Sequence, residues 1–180
     1  MIVVPETIST PRLLLRRPKA ADAAAVFEYG GDPEVARFMD WPLLSELQDA
    51  SPATENAQPR WDSGDEYSWR VTIKPDDTPI GSVSCSIDGH KAEFGFVLAR
   101  RCWGQGFASE AGRAVLGWLT SLPHVDRVQA TCDIENSASA RVLEKVGMVR
   151  EGVLRRWTRR PNLPGEPIRD AILYAWVREA

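Results

Sequence analysis

The stretch that decides the fold reads Arg101-Cys102-Trp103-Gly104-Gln105-Gly106-Phe107-Ala108-Ser109. It joins an apolar run at 93–98, which predicts a strand, to a segment at 107–119 whose apolar residues recur at helical spacing. The first turn of a helix leaves main-chain N–H groups without partners, and glycine lets a bulky group approach the main chain closely. Together with the positive end of the helix dipole, these groups predict a site for a phosphate or pyrophosphate.

The same stretch alone is also compatible with a plain strand-to-helix connection that binds nothing. A P-loop needs Gly-Lys-Ser/Thr after four intervening residues, and the chain lacks it. The dinucleotide fingerprint needs a third small residue, for which Ser109 has the right size, but it also needs an N-terminal βαβ unit. Here the turn lies past mid-chain and after predicted hairpins, so neither nucleotide motif explains it.

Length and composition predict one soluble globular domain over residues 1–180, with 43% hydrophobic and 26% charged residues. A net charge of −3 argues against a nucleic-acid binder that works by phosphate neutralisation. Apolar runs are too short for a membrane span, and the N-terminus lacks a signal-peptide pattern. Three cysteines without a C-x-x-C pair favour a cytoplasmic protein, and two unclustered histidines predict no metal site.

The predicted elements follow the order β-α-α-β-β-β-α-β-α-β-β. Strands are predicted at 12–18, 68–74, 80–87, 92–98, 127–134, 149–158 and 168–177. Helices are predicted at 22–29, from Asp32 through Val35, Phe38 and Met39, at 107–119 and at 138–146, and residues 40–66 form a partly helical excursion. This order predicts an α/β (α+β) fold, with a mixed, mostly antiparallel twisted sheet of about seven strands and about four helices.

A second motif follows the strand at 127–134 and reads Glu135-Asn136-Ser137-Ala138-Ser139-Ala140-Arg141-Val142-Leu143-Glu144-Lys145-Val146-Gly147-Met148. Asn136 is a natural N-cap, and Gly147 is the expected residue just past the helix end. Alone, the motif predicts only a capped amphipathic helix. Its separation from the glycine-punctuated stretch makes the pair specific.

With both motifs in place, the chain resembles the GNAT superfamily of N-acetyltransferases, in particular the Rim-type branch that acetylates the N-termini of ribosomal proteins. The resemblance covers nearly the whole chain and implies a sheet whose central strands splay apart. The superfamily signature Arg/Gln-x-x-Gly-x-Gly/Ala falls on Arg101, Gly104 and Gly106. The branch signature Asn-x-x-Ser…Glu-Lys-x-Gly-Phe falls on Asn136, Ser139, Glu144, Lys145 and Gly147, with Met148 in the place of the aromatic residue.

The resemblance implies acetyl-CoA as co-substrate and a primary amine as acceptor: a protein N-terminus, an amino acid or a small amine. It also suggests a homodimer. The residues that would hold acetyl-CoA are Phe96, Val97, Leu98, Arg101, Gly104, Gln105, Gly106, Phe107, Ala108, Ser109, Asn136, Ser139 and Lys145.

Acetyl transfer to an amine needs a base, a donor to the carbonyl oxygen and protonation of the leaving thiolate. Glu93 is the candidate base, although it could instead end a hairpin in solvent. A main-chain N–H near Val97 is the candidate donor to the carbonyl oxygen. Many members of the superfamily have a tyrosine acid, and its aligned position here is Leu143; Ser139 could replace the acid, or it could only orient the ligand while solvent protonates the thiolate.

The remaining hypotheses concern the route and the acceptor. Cys102 has no histidine nearby in the sequence, which favours direct attack in a ternary complex over a ping-pong route. The acceptor is expected between the 40–66 excursion, whose acidic residues could attract an amine, and the loop at 155–168, with Trp41 or Trp157 lining its pocket. Two alternatives stay open: a CoA-binding sensor or assembly subunit without turnover, and a protein that binds a different nucleotide.

Overall fold

The computed structural model describes residues 2–165 and 168–179. Within them the chain forms eight strands, β1 (Thr7–Ser9), β2 (Leu13–Arg16), β3 (Tyr67–Ile73), β4 (Pro79–Asp88), β5 (Lys91–Leu98), β6 (Arg127–Asp133), β7 (Val149–Arg159) and β8 (Ile168–Val177). It also forms six α-helices, α1 (Ala23–Gly30), α2 (Pro33–Ala36), α3 (Ser51–Glu55), α4 (Ala57–Ser63), α5 (Phe107–Ser121) and α6 (Ser137–Lys145).

The strands form one sheet in the order β1-β2-β3-β4-β5-β6-β8-β7. Neighbours are antiparallel except β5 and β6, which are parallel and are joined by α5, since a parallel pair needs a crossover connection. The predicted mixed, mostly antiparallel sheet is confirmed. It has eight strands because β1, only three residues long, was too short to be predicted from its own pattern.

The two faces of the sheet are covered by different helices. On one face α5 packs against apolar side chains, and the rings of Trp118 and Trp69 meet edge-on with centroids 5.5 Å apart. On the other face Arg70 of β3 donates to the carbonyl of Ala53 in α3 at 2.7 Å. Since side chains alternate along a strand, β3 thus separates an apolar core on the α5 side from a polar layer beneath α3.

The 40–66 excursion is partly helical, as predicted, because it contains α3 and α4. The helix predicted to include Phe38 and Met39 is wrong for those residues, since α2 ends at Ala36. The Asn162 side chain donates to the Ala36 carbonyl at 2.7 Å and thereby occupies an acceptor that a longer helix would use. In the described part of the chain, no helix combines the length and apolarity needed to cross a bilayer.

The central strands part after a short paired segment. β5 and β6 are in register only at Lys91 with Arg127, Ala92 with Val128, and Glu93 with Gln129. Beyond Glu93, β5 stays paired with β4 as far as Leu98, while β6 stays paired with β8 through Asp133. The predicted splay is therefore present, and it leaves one edge of β5 open.

Candidate active site

The gap between β5 and β6 opens into a cleft of about 1510 Å³. The first turn of α5, the outer half of β5 and the first turns of α6 line one part of it. Side chains from β3, β4 and the segment between α1 and α4 line the other part. The cleft therefore joins the glycine-punctuated stretch to the polar face of the sheet.

The N-terminus of α5 presents a row of free main-chain donors. Gly104 and Gly106 have φ of +74° and +81°, which side chains other than glycine rarely adopt. No acceptor among the described residues binds the N–H groups of residues 104–109, and the first N–H satisfied is that of Glu110, bound to the Gly106 carbonyl at 3.0 Å. A row of such donors at a helix N-terminus is suited to bind an anion.

A salt bridge fastens this turn to the start of β2. The Glu110 carboxylate accepts from the Thr10 hydroxyl at 2.6 Å and from the Arg12 side chain at 2.6 Å, and the Arg12 guanidinium also donates to the Gln105 carbonyl at 3.0 Å. Partial burial raises the pKa of Glu110, but the hydrogen bonds from Thr10 and Arg12 outweigh it and lower the pKa below its ordinary value. No local pattern predicts this contact, since Arg12 and Glu110 are 98 residues apart.

Hydrogen bonds at the two ends of β5 fix which peptide groups face the gap. The carbonyl of His90 accepts from Asp126, just before β6, at 2.9 Å. The N–H of Ala99 donates to Ile80 on the β4 side at 2.8 Å. Peptide groups alternate between the two edges of a strand, so even-numbered residues of β5 face the gap and odd-numbered residues face β4.

This alternation revises the candidate donor near Val97. The Val97 peptide faces β4, opposite Ser82 in the register, so its own N–H is not available in the gap. The peptide groups of Phe96 and Leu98 flank it and face the opening, although the Leu98 carbonyl already accepts from the Trp103 indole at 2.8 Å. The usable N–H groups along this edge are therefore those of Phe96 and Leu98.

The two candidate catalytic side chains lie on the walls of the cleft. Glu93 is exposed and stands at the last position where β5 and β6 are paired. Ser139 is half-buried in the first turn of α6, and its N–H donates to the Asn136 side chain at 3.0 Å, which is the predicted N-cap. Leu143, at the aligned position of the superfamily's tyrosine, is buried. The catalytic roles of Glu93 and Ser139 stay predictions.

Most of the residues predicted to hold acetyl-CoA line the cleft: Phe96, Val97, Leu98, Gly104, Gly106, Phe107, Ala108, Ser109, Asn136, Ser139 and Lys145. Arg101 and Gln105 do not. The Arg101 guanidinium is bound to Glu28, and the Gln105 side chain donates to the Arg101 carbonyl at 2.8 Å. Arg101 thus supports the turn from outside the cleft. Among the described residues no cluster of His, Cys, Asp or Glu suited to a metal ion is found.

On the other side of the cleft, the two tryptophans proposed for the acceptor pocket, Trp41 and Trp157, both contribute to the lining. Of the acidic residues in the excursion, Asp40, Asp49 and Glu66 line the cleft as well. Trp41 is half-buried, whereas Trp157 is 53% exposed.

Asn162 binds main-chain groups of Trp41 and Leu43, two residues that line this side of the cleft. Its side-chain oxygen accepts from the Leu43 N–H at 2.8 Å, and its nitrogen donates to the carbonyls of Ala36 at 2.7 Å and Trp41 at 2.9 Å. The connection between β7 and β8 is thereby bound to the segment after α2. Sequence reasoning missed Asn162 because its partners lie 119 to 126 residues away.

Cys102 lines the cleft but is 5% exposed. Burial raises the pKa of its thiol, despite the nearby Arg101. The thiolate is the nucleophilic form of cysteine, so this environment is unfavourable for a covalent route through Cys102.

The comparisons with known proteins agree with this geometry. Residues 12–149 match the model of the acetyltransferase (GNAT) domain family. The chain is 31% identical over 156 residues to the uncharacterized N-acetyltransferase p20 of Bacillus licheniformis, covering 83% of this chain and 86% of that protein.

Two solved structures share the fold at 18% identity. MccE, a self-immunity acetyltransferase in complex with acetyl-CoA and AMP, has a TM-score of 0.82 over 94% of each chain. RimL, an α-N-acetyltransferase of a ribosomal protein in complex with coenzyme A, has a TM-score of 0.83 over 96% of this chain and 98% of its own. The family match, the identity to p20 and the shared fold lead to one conclusion: this chain belongs to the GNAT family of acetyltransferases.

Proposed function

We propose that the protein transfers the acetyl group of acetyl-CoA to a primary amine by direct attack in a ternary complex. The observation that carries this proposal is the junction of two features in one cleft. The free N–H row of residues 104–109 is suited to a pyrophosphate, and the open edge of β5 is suited to an extended, amide-bearing chain. Coenzyme A has both parts, and the fold neighbour MccE binds acetyl-CoA.

Each step of the transfer has a candidate group. Glu93, exposed on the cleft wall, would take the proton of the amine directly or through one water. The N–H groups of Phe96 and Leu98 are the candidates to stabilise the carbonyl oxygen as negative charge develops on it. Ser139, or solvent, would protonate the leaving thiolate.

The acceptor side is proposed to lie between Trp41, Trp157 and the polar face of the sheet, because these groups line the part of the cleft away from α5. The acceptor is a protein N-terminus, an amino acid or a small amine. A cytoplasmic location and a homodimer remain predictions.

Two measurements test the function. Acetyl-CoA is expected to raise the Tm, and free thiol should then appear when peptides, amino acids, polyamines and aminoglycosides are supplied as acceptors. Binding without thiol release across the panel would favour a CoA-binding sensor, and absence of binding would remove both functions.

The route is tested separately with Cys102→Ala. Because the thiol is buried and weakly acidic, this variant is expected to retain turnover, and initial rates should give intersecting double-reciprocal plots. A variant that binds acetyl-CoA normally but has lost turnover would overturn the ternary mechanism.

A further inference from the structure

Two arginine side chains are buried in the part of the cleft away from α5. Arg70 of β3 is 4% exposed, and Arg160, directly after β7, is 7% exposed. Both line the cleft, and the Nε of each has no hydrogen-bond acceptor among the residues that the structure describes. A buried charge without full hydrogen bonding is costly, and such a group in a cleft calls for a partner outside the chain.

Of these two arginines, Arg160 has fewer of its hydrogen-bond donors paired. Its Nε lies 3.9 Å from the Asp133 carboxylate, beyond hydrogen-bond distance, and its guanidinium donates to no acceptor among the described residues. Asp133 is already engaged, since it accepts from the Arg169 side chain at 3.3 Å and from the Glu135 N–H at 2.9 Å. Arg169 is in turn also paired with the Glu135 carboxylate at 2.8 Å.

Arg70, by contrast, is held from several sides. Its two terminal nitrogens donate to Ala53 at 2.7 Å and to Ser82 at 3.3 Å, and its Nε is 3.9 Å from Asp22. Asp22 itself is bound by Arg16 at 2.7 Å. Arg70 therefore has a structural role in the polar layer, and Arg160 is the buried cation with capacity left for a ligand.

The surroundings of Arg160 place it on the acceptor side of the cleft. It lies two residues before Asn162, which binds the segment after α2. Asp40, an exposed residue on the cleft wall, is close enough to act on the Arg160 charge: burial lowers the pKa of Arg160, and Asp40 opposes that shift. A cation and a carboxylate that line the same cleft are complementary to a ligand that carries an ammonium and an anionic group.

We propose that Arg160 binds an anionic oxygen group, a carboxylate or a phosphate, on the acceptor amine, so that the preferred acceptor is an amine that also carries such a group. This rests on the proposed function, because it assigns the acceptor of the same cleft. Guanidinium binds both groups through two parallel hydrogen bonds. Polyamines and aminoglycosides, which lack an anionic group, are then poor acceptors.

The test compares matched acceptors by free thiol release with acetyl-CoA. Glycine, leucine and phenylalanine are each paired with their α-amides, and phosphoethanolamine is paired with ethanolamine. At least one anionic member is expected to be acetylated with kcat/KM at least about tenfold above its neutral partner, as one charge-assisted contact provides. The amino-acid pairs and the phosphoethanolamine pair show whether Arg160 binds a carboxylate or a phosphate.

Arg160→Gln is expected to remove that preference by raising the KM of the anionic acceptor, while the neutral partner and the acetyl-CoA affinity stay unchanged. Arg159→Gln is the matched control, since Arg159 is the exposed neighbour and does not line the cleft. Arg160→Lys should keep part of the preference because it retains the charge.

A stability measurement separates ligand binding from structural support. If Arg160 is held ready for a ligand, Arg160→Met should keep or raise the Tm, by up to about 2–4 °C, because an incompletely paired buried charge is replaced by apolar surface. A clear fall in Tm would assign Arg160 to the support of Asp133 and overturn the proposal.

The outcomes for the two proposals are distinct. Equal rates for anionic and neutral acceptors in the wild type would overturn the role of Arg160 and leave the acetyltransferase function standing. Absence of thiol release with every amine would overturn the function and this inference with it. If Arg160→Gln fails to fold, the wild-type comparison can still overturn the role of Arg160, because that role requires a preference for anionic acceptors.

Discussion

The two sides of the cleft are built in different ways. The side at α5 consists of main-chain donors between Gly104 and Ser109 and of the open edge of β5. The opposite side consists of side chains such as Trp41 and Arg160, brought together from distant parts of the chain partly by the hydrogen bonds of Asn162. Main-chain recognition tolerates changes of side chain, whereas the acceptor side changes with each substitution. The two sides of the cleft therefore differ in how strongly their ligand contacts depend on the identity of side chains.

The largest expected effect is a fall in kcat on substitution of Glu93, at the boundary between the two sides of the cleft. Glu93→Gln keeps the size of the side chain but removes the base, so kcat should fall by about 100-fold, the lower end of general base catalysis. The Kd of acetyl-CoA and the Tm should change little, because Glu93 is exposed. Glu55→Gln, at an exposed site in α3, is the control. An unchanged kcat would show that Glu93 only ends the paired part of β5.

The next effect should fall on the α5 side alone. Gly106→Val puts a β-branched residue at φ +81°, where the added Cβ would lie 3.4 Å from the Arg12 guanidinium. The turn should lose its shape, and acetyl-CoA binding measured by calorimetry should weaken by about 30-fold, or about 2 kcal/mol.

Gly117→Ala is the matched control within α5, where an added Cβ meets nothing within 4 Å. It should stabilise the helix by up to about 1 kcal/mol and leave affinity unchanged. Equal affinities for wild type and Gly106→Val would contradict the role of the free N–H row.

A smaller effect is expected on the acceptor side. Asn162→Ala removes three hydrogen bonds: the Trp41 carbonyl and the Leu43 N–H lose their partner, whereas the Ala36 carbonyl keeps the Met39 N–H at 2.9 Å. The acceptor KM should rise by about tenfold and stability should fall by about 1–3 kcal/mol, whereas the Kd of acetyl-CoA should not change. Gln58→Ala, an exposed amide bound only to Asp62, is the control. A parallel loss of acetyl-CoA affinity would mean that the two sides are not independent.

The smallest effect concerns the contact of Glu110 with Thr10 and Arg12. Since the folded-state pKa of Glu110 is lowered, its contribution to stability is present above the ordinary pKa and is lost as the pH falls through the folded value. Glu110→Gln should therefore lower stability by about 1 kcal/mol at neutral pH, and the difference from wild type should shrink below about pH 4. Chemical denaturation of both proteins at several pH values measures this difference in stability. A difference that does not depend on pH would show that the charge of Glu110 is not involved.

The parts of the fold that could be predicted rest on local signals. The start of α5 at Phe107 follows from the glycines before it, and the cap at Asn136 follows from its own side chain. The antiparallel hairpins of β3, β4 and β5 follow from the short connections between their apolar runs. These features need only neighbours in the sequence, so a single chain is enough to predict them.

The features that could not be predicted depend on contacts across the chain. Asn162 is a loop residue until its partners after α2 are known, and the neighbours of Arg160 in the sequence do not show that its side chain is buried. The N–H groups of Phe96 and Leu98 could not be singled out near Val97, because the sequence does not tell which edge of a strand each peptide group faces. Tertiary pairing decides all three.

The short contact between β5 and β6 has a mechanical consequence. The sheet has two parts, one formed by β1 to β5 and the other by β6 to β8. Only three residue pairs, all between β5 and β6, join these two parts. An extended ligand lying along the free edge of β5 would act as an inserted strand and complete the hydrogen-bonding of the sheet where protein alone leaves it incomplete. The bound substrate would then be a structural component of the sheet. Binding of the substrate would at the same time make the sheet more rigid.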